Sequence, residues 1–337
     1  MKTIAILHGE IPENAPKDDL NTLEQCKYVE RALAKLGYKT TRVPLSLNIE
    51  KAWNILEKLQ PYCVFNLVDS VNAKCAFGHL GALIPEQLKL PYTGADSSAL
   101  FLTTDKQMAK RWMKSQGIPA PASISGTPPK SAFGKGQRYI VKSSLEDGSI
   151  GLAQDSVVGD AKTLARILKD RRKTHGGEWF AEQYIAGREF YISLLSVDGR
   201  PTVLAPCEAT FPNYPAHYSR IVDYAAKWEN QSMEWKQIRY VLRHKKKDAA
   251  LIRKLSELAL QCWNALGLTK GHLRIDFRVD ERENPYVLEM NINPCLSMRS
   301  DFYWMAEKSG YDYTSMIETI VNEAVGAKST ALRASHG

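Results

Sequence analysis

"YVLEMNINPCLS" (residues 286–297) begins like a strand and then departs from one. Val287, Leu288 and Met290 supply strand-forming bulk, while Glu289, Asn291 and Asn293 fall at alternate positions. Side chains two apart on a strand share a face. One face is therefore apolar, with Leu288, Met290 and Ile292, and the other carries a carboxylate and two amides. Amides and the following Pro294 are poor strand residues with no evident packing role.

Upstream lies "HLRIDFRVDERENP", in which Leu273, Ile275, Phe277 and Val279 alternate with Arg274, Asp276 and Arg278. "DERENP" joins this half-polar strand to "YVLEMNIN", so the two are expected to pair as an antiparallel hairpin. A register symmetric about residues 282 and 283 sets Asp276 opposite Glu289 and Arg274 opposite Asn291. Two facing carboxylates destabilise a bare hairpin, and partial burial would push one pKa up. Two readings stand here. A solvent-facing hairpin tolerates a casual mixture of charges. Alternatively, a divalent cation removes the repulsion, because two carboxylates and an amide oxygen are hard ligands of the kind Mg²⁺ shares with substrate phosphates. Arg274 would then clamp a phosphoryl oxygen bidentately.

The N-terminal third alternates strands and helices. Residues 2–7 read as a strand, "TLEQCKYVERALAKLGY" as a helix, "KTTRVPL" as a second strand, "IEKAWNILEKLQ" as a second helix and "YCVFNLV" as a buried third strand. That order implies a parallel sheet with right-handed crossovers, and ligands beyond the strands' carboxyl ends. "LPYTGADSSALFLTTDKQMAKRWMKSQGIPAPA" has Pro and Gly on both sides of a basic helix and marks a boundary. "RYIVKSS", "WFAEQYI" and "EFYISLLSVDGRPTVLAPCEA" read as strands, the last a hairpin about Asp198-Gly199. Residues 161–171 and 248–266 read as helices. "FPNYPAHYSRIVDYAAKWENQS" shows little regular pattern.

A chain of 337 residues with 44% hydrophobic and 24% charged residues is a globular profile, long enough for two or three domains. No apolar run approaches the roughly 20 residues that span a bilayer. Six cysteines without zinc or C-x-x-C spacing suggest reduced thiols in a cytoplasm. The net charge of +8 is concentrated in residues 236–254, which hold eight Lys/Arg against one Asp. That run is either the solvated start of a helix or an attractor of acidic partners. It lacks the interleaved aromatics and motifs of a nucleic-acid interface.

No G-x-x-x-x-G-K-[ST] is present to cradle phosphates. What remains is Lys106 in "TTDKQMAK", Lys142 at the end of "YIVKSS", and the turn "EDGSIG", whose Gly148 and Gly151 around Ser149 permit backbone N–H groups to point at an anion.

Taken together, "LPYTG...ALFLTTDK...AKRWMKSQGIPAP", "YIVKSSLEDGSIG", "EQYIAGREF", "LRIDF" and "YVLEMNINP" resemble the ATP-grasp superfamily, and within it the D-alanine–D-alanine ligase-like enzymes, over nearly the whole chain. The resemblance implies an α/β (α+β ATP-grasp) fold: a parallel-sheet substrate domain over residues 1–103, a central lobe over 104–190, and a C-terminal lobe over 191–330 with the metal and catalytic site. Lys106 and Lys142 would contact ATP phosphates. Glu182 would take the adenine amino group, Gln183, Tyr184 and Ile185 would form the hinge strand, and Glu189 would bind the ribose. Asp276, Glu289 and Asn291 would bind two Mg²⁺, with Mn²⁺ as a substitute. Arg274 would stabilise the transferring phosphoryl group, Ser149 would sit near the substrate, and Lys227 would lie near the γ-phosphate. Ser297, Arg299 and Ser300 would lie where the second substrate's carboxylate binds. A homodimer is expected from the family alone.

The family's pattern breaks at substrate positions. A Gly-rich stretch and a Ser-x-Glu-Arg-Glu run are replaced by "HGEIPENAPKDDLNTLEQ", leaving Asp18, Asp19 or Glu24 as the carboxylate for the first substrate's amino group. Trp228 stands for a Tyr that joins the family's serine, and Cys295 for a Gly. Cys295 has no evident base beside it, which favours an inert small side chain over a reactive thiol. Three functions follow in order: an amino-acid or peptide ligase working through an acylphosphate, the D-alanine–D-alanine ligase itself, and a non-catalytic ATP-binding regulator.

Overall fold

The computed structural model describes residues 1–12, 15, 17–124, 133, 134, 136–242 and 245–326, without the side chains of residues 17–19. Residues 125–132, and Arg243 and His244 of the basic run, lie outside the described residues.

Strands β1 (Thr3–Gly9), β2 (Lys39–Leu45) and β3 (Cys63–Leu67) form a parallel sheet in the order β2-β1-β3. Helices α1 (Lys17–Lys35) and α2 (Ile49–Leu59) supply the crossovers. β3 is buried along its whole length, as a parallel strand covered on both faces must be. Next come α3 (Leu80–Gln87), α4 (Ser97–Thr104) and α5 (Lys106–Ser115). The single basic helix expected here is two helices. Asp105 breaks the run and caps α5, accepting from the N–H groups of Gln107 and Met108 at 2.9 and 3.0 Å.

A four-stranded antiparallel sheet follows, with β4 (Ser123–Ile124), β5 (Tyr139–Ser143), β6 (Val157–Val158) and β7 (Trp179–Gln183) in the order β4-β7-β5-β6. Helix α6 (Ala161–His175) covers it with Leu164, Ile167 and Leu168.

The last sheet contains β8 (Arg188–Val197), β9 (Arg200–Val203), β10 (Cys207–Thr210), β11 (Arg239–Val241), β12 (His272–Val279) and β13 (Pro285–Asn291), ordered β11-β10-β8-β12-β13 with β9 also on β8. The β8–β9 hairpin turns at Asp198-Gly199, both with positive φ (51° and 73°), as a tight hairpin turn requires. Two departures from sequence periodicity are local. The stretch without regular pattern contains the short helix α7 (Tyr224–Trp228), started by an Asp223 cap on Ala226 N–H, and α8 (Met233–Gln237) follows. The basic run is a helix start only in its last part: it supplies β11, and its final residues 249–254 then open α9 (Ala249–Ala265). Helices α10 (Asp301–Lys308) and α11 (Tyr313–Val325) are the last elements among the described residues.

Two apolar cores bind the first sheet to the last. One joins Ala5, Leu7 and Val64 to Met113 of α5 and to Ile192, Ile275 and Met290. The other joins Ile4, Ile6 and Phe65 to Ile317 and Ile320 of α11. The carboxyl ends of β1–β3 are thereby held against the exit of β13.

His272 opens β12 with 1% of its surface exposed, edge-on to Phe302 at 5.5 Å. Neither ring nitrogen has a hydrogen-bond partner among the described residues. Burial pushes its pKa down from 6.5 to about 4. Between those values the unfolded chain binds a proton that the folded chain refuses. Stability is therefore full above about pH 6.5 and is expected to fall by up to about 3 kcal/mol as pH drops toward 4. Urea midpoints across this window should decline, and His272→Phe should flatten that part of the slope. An unchanged slope in the variant would remove His272 as its cause.

Candidate active site

The hairpin of β12 and β13 pairs Asp276 with Glu289 and Arg274 with Asn291, as the alternation requires. The tip is built differently. Val279 faces Pro285 and Phe277 faces Val287, so a regular ladder would have put Leu288 opposite Asp276. A bulge between Asp276 and Phe277 absorbs Leu288 and brings the two carboxylates face to face. Leu288 consequently leaves the apolar face assigned to it. Its side chain lines the cleft described below, and its carbonyl accepts from Lys110 Nζ at 3.2 Å.

Asp276 is 7% exposed. Arg274 grips both of its oxygens, Nε to Oδ1 at 2.7 Å and Nη2 to Oδ2 at 2.9 Å. Burial raises the Asp276 pKa, and the charge of Glu289 adds to this against Arg274. Burial pushes Glu289 the same way, but Lys106, Lys227 and Lys142 outweigh it and leave its pKa low. One carboxylate of the pair is thus held charged by lysines, while burial outweighs Arg274 at the other. Among the described residues no three carboxylate, thiol or imidazole groups converge. The donor set is two carboxylates and the Asn291 amide. These are hard oxygens that leave positions for phosphate and water, which fits Mg²⁺ and not a closed zinc site.

Asp276 and Glu289 open onto a cleft between the second and third sheets. Lys106, Lys142, Glu182, Gln183, Tyr184, Ile185, Glu189, Lys227, Asp276 and Glu289 line it, together with the turn 146–150. Glu182 is fully buried, with its oxygens 2.6 Å from Lys110 Nζ and 2.7 Å from Lys142 Nζ. Glu189 accepts from Tyr191 Oη at 2.8 Å and lies 3.3 Å from Arg278 Nε. Lys106 donates to Asp147 at 2.6 Å and to the Glu146 carbonyl at 2.9 Å, and its Nζ is 4.0 Å from Glu289.

The turn is closed over the cleft. Ser149 takes φ = 62°, unusual for a residue with a side chain, and its hydroxyl donates to the Val222 carbonyl at 2.9 Å. Trp228 Nε1 donates to the Gly148 carbonyl at 2.9 Å. A Cβ on Gly151 would come within 2.4 Å of the Trp179 ring, so only glycine lets the turn lie this close.

Not every candidate converges. Arg274 and Asn291 sit beside the cleft through their pairing on the hairpin. Ser297 is buried and accepts from Cys295 Sγ at 3.4 Å. Arg299 is exposed, and the Ser300 oxygen caps α10 by accepting from Tyr303 N–H. None of these three lines the cleft. Asp18 falls in the first turn of α1, but its side chain lies outside the described residues. Asn293 ties the exit of β13 to the Val68 carbonyl at 3.1 Å, and Asn21 of α1 donates to Cys295 Sγ at 3.2 Å. Burial raises the Cys295 thiol, so little thiolate is present at neutral pH.

Four participants escaped the sequence reading. Lys110 follows Lys106 by four residues and shares its helix face, a signal that was legible. Arg278 follows Asp276 by two on the same strand, equally legible. Asp147 comes from a turn with no periodicity to expose it, and Asp301, 3.9 Å from Arg274, opens α10, where no local pattern names its partner.

The family model for the D-ala D-ala ligase C-terminus matches residues 136–322. A Sinorhizobium fredii protein described as uncharacterized protein y4sG is 30% identical over 77% of this chain and 74% of its own. A D-alanine–D-alanine ligase of Rhizobium meliloti is 27% identical over 96% of this chain and 98% of its own. Two solved structures share the fold. A D-alanine–D-alanine ligase of Bacillus anthracis complexed with ATP has TM-score 0.72 at 18% identity, covering 97% of this chain and 98% of that one. The D-alanyl-alanine synthetase A of Vibrio cholerae has TM-score 0.72 at 19% identity, covering 96% and 98%. Matched over residues 136–322 by the family model, and sharing the fold of the two solved ligases along nearly its whole length, the chain belongs to the D-alanine–D-alanine ligase family and has its ATP-grasp fold.

Proposed function

We propose that this protein is an ATP-dependent ligase that joins the carboxylate of one amino acid or peptide to the amine of another. The carrying observation is the facing pair Asp276 and Glu289 with Arg274 beside it, at the end of a lysine-lined cleft beneath a closed glycine turn.

In the proposed reaction a substrate carboxylate attacks the γ-phosphorus of ATP, giving an acylphosphate and ADP. The amine then attacks the acyl carbon, phosphate leaves, and an amide forms. Glu182 takes the adenine amino group, with Gln183 to Ile185 as the hinge and Glu189 on the ribose. Lys106 and Lys142 draw the phosphates in, and Lys227 and Arg274 neutralise charge on the transferring group. Asp276, Glu289 and Asn291 hold Mg²⁺, one ion or two, which supplies charge neutralisation and phosphate orientation when bound. Ser149 and the turn around it keep water from the acylphosphate, and the loop 297–300 borders the amine-bearing substrate. Domain limits at 103/104 and 190/191 belong to this proposal, as does a homodimer. No helix among the described residues is long and apolar enough to cross a membrane, and all six cysteines are free thiols, which fits a cytoplasmic setting.

D-alanine joined to D-alanine is the second form of the same activity, favoured by full-length relatives bearing that name. Against a non-catalytic regulator stands the convergence of Asp276, Glu289, Lys106, Lys142 and Lys227 on one cleft. The test is ADP release with ATP and Mg²⁺ over single and paired L- and D-amino acids and dipeptides, with mass spectrometry of active mixtures. An amide product in at least one mixture is expected. D-alanine turning over alone would identify the second form. ATP bound with no turnover across the panel, and with metal affinity unchanged in Asp276→Asn, would sink the ligase in favour of the regulator.

A further inference from the structure

We infer that Asp301 is a second seat for the Arg274 guanidinium, a positioning residue that frees Asp276 to hold a cation. The inference rests on the ligase reading above and concerns a residue that reading leaves without a role.

Arg274 occupies both oxygens of Asp276. A metal ion on those oxygens and the guanidinium exclude each other, by geometry and by like charge. The Arg274 side chain is only 12% exposed, so most of it is shielded from bulk water. Leaving a buried guanidinium without an anion costs several kcal/mol. The remaining nitrogen, Nη1, lies 3.9 Å from Asp301 Oδ2. A shift of about 1 Å closes that gap to hydrogen-bond length. The Tyr191 ring, 5.4 Å from the guanidinium carbon, gives it an aromatic face during the shift.

Asp301 is built to receive it. It is the first residue of α10, immediately after the Ser300 cap, where the helix N-terminus favours a negative side chain. Its side chain is 22% exposed, and Arg274 is its one ion-pair partner among the described residues. With Asp276 given up, Arg274 stays beside the cleft, facing the phosphates.

The experiment is Mn²⁺ titration, read by electron paramagnetic resonance, into protein saturated with a non-hydrolysable ATP analogue. Partners one contact away from a metal ligand typically change its metal affinity 10–100-fold. Asp301→Asn is expected to weaken Mn²⁺ about tenfold at the lower end of that range, while metal-free nucleotide binding stays unchanged and Asp301→Glu remains near the parent. In an Arg274→Ala background Asp301→Asn should cost nothing further, because its effect passes through the arginine. Equal Mn²⁺ affinity in a folded Asp301→Asn protein, or the same loss without Arg274, overturns the inference. Should that variant not fold, Asp301→Ser, which keeps a residue suited to a helix start, carries the same expectations. A parent protein that takes up nucleotide but no Mn²⁺ overturns the ligase reading itself, a distinct result.

Discussion

Asp276→Asn is expected to lower ligation by about a thousandfold or more while the protein stays folded. The substitution preserves shape but replaces an anionic oxygen with a neutral one, at the point where Mg²⁺ and the transferring phosphoryl group would meet. Its effect on folding combines two opposing contributions, the relief of a buried carboxylate facing Glu289 and the loss of the anion that Arg274 grips, so a modest net loss is expected. Burial already raises the Asp276 pKa above that of a free carboxylate, and Glu289 opposes its charge. The charged form is therefore a cost to the cation-free fold, present above that raised pKa and relieved as pH falls through it. Removing the charge removes that cost but leaves the buried Arg274 guanidinium with only Asp301, 3.9 Å away, as its anion among the described residues. The check pairs a steady-state assay with a urea melt. Activity within tenfold of the parent would remove Asp276 from the metal site, and a collapse of stability would show the carboxylate to be structural.

Glu182→Ala is expected to lose about 3–5 kcal/mol of stability. Glu182 is fully buried between Lys110 and Lys142, with no other acid bonded to either ammonium among the described residues. Burial alone would raise the Glu182 pKa, but the two lysines reverse this and leave it low. Burial lowers Lys110 even with Glu182 in place. Without the carboxylate Lys110 is pressed further toward the neutral amine. The variant should therefore recover stability as pH rises through the alkaline range, where the unfolded chain also sheds that proton. A melt over neutral to alkaline pH tests both the loss and its sign. Adding Lys110→Met should restore part of the loss at neutral pH. A Glu182→Ala protein as stable as its parent would mean that the lysines find other partners and that the triad is not structural. Because Glu182 is also proposed for the adenine, nucleotide affinity should fall in the same variant.

The alternation in residues 272–279 and 286–293 was enough to assign a hairpin and to pair Asp276 with Glu289, because side-chain direction on a strand depends only on local count. The buried runs in β1 and β3 and the helices between them were enough for a parallel sheet. Gly148 and Gly151 marked a tight turn through their residue type, and Asp198-Gly199 did the same for the β8–β9 hairpin. Such features survive in sequence because each follows from a few neighbouring residues.

The bulge at Leu288 does not. It is held by contacts from far along the chain: the Pro119 carbonyl accepts from Val287 N–H at 2.8 Å, and Lys110 reaches the Leu288 carbonyl. α7 depends on a single Asp223 cap and on Trp228 docking against Gly148, neither of which produces a period. Arg299 and Ser300 were placed at the substrate by family pattern, yet helix geometry gives Ser300 a capping bond and leaves Arg299 in solvent. Sequence by itself determined which faces are polar, where the chain turns, and that two carboxylates meet. Only the tertiary structure decided that Lys110 shares Glu182 with Lys142, that the turn closes through Trp228, and that Asp301 stands beside Arg274. The reason is physical. Patterning records the one-dimensional periods of strand and helix, whereas the partner of a buried charge is set by whichever distant segment packs within a few ångströms of it.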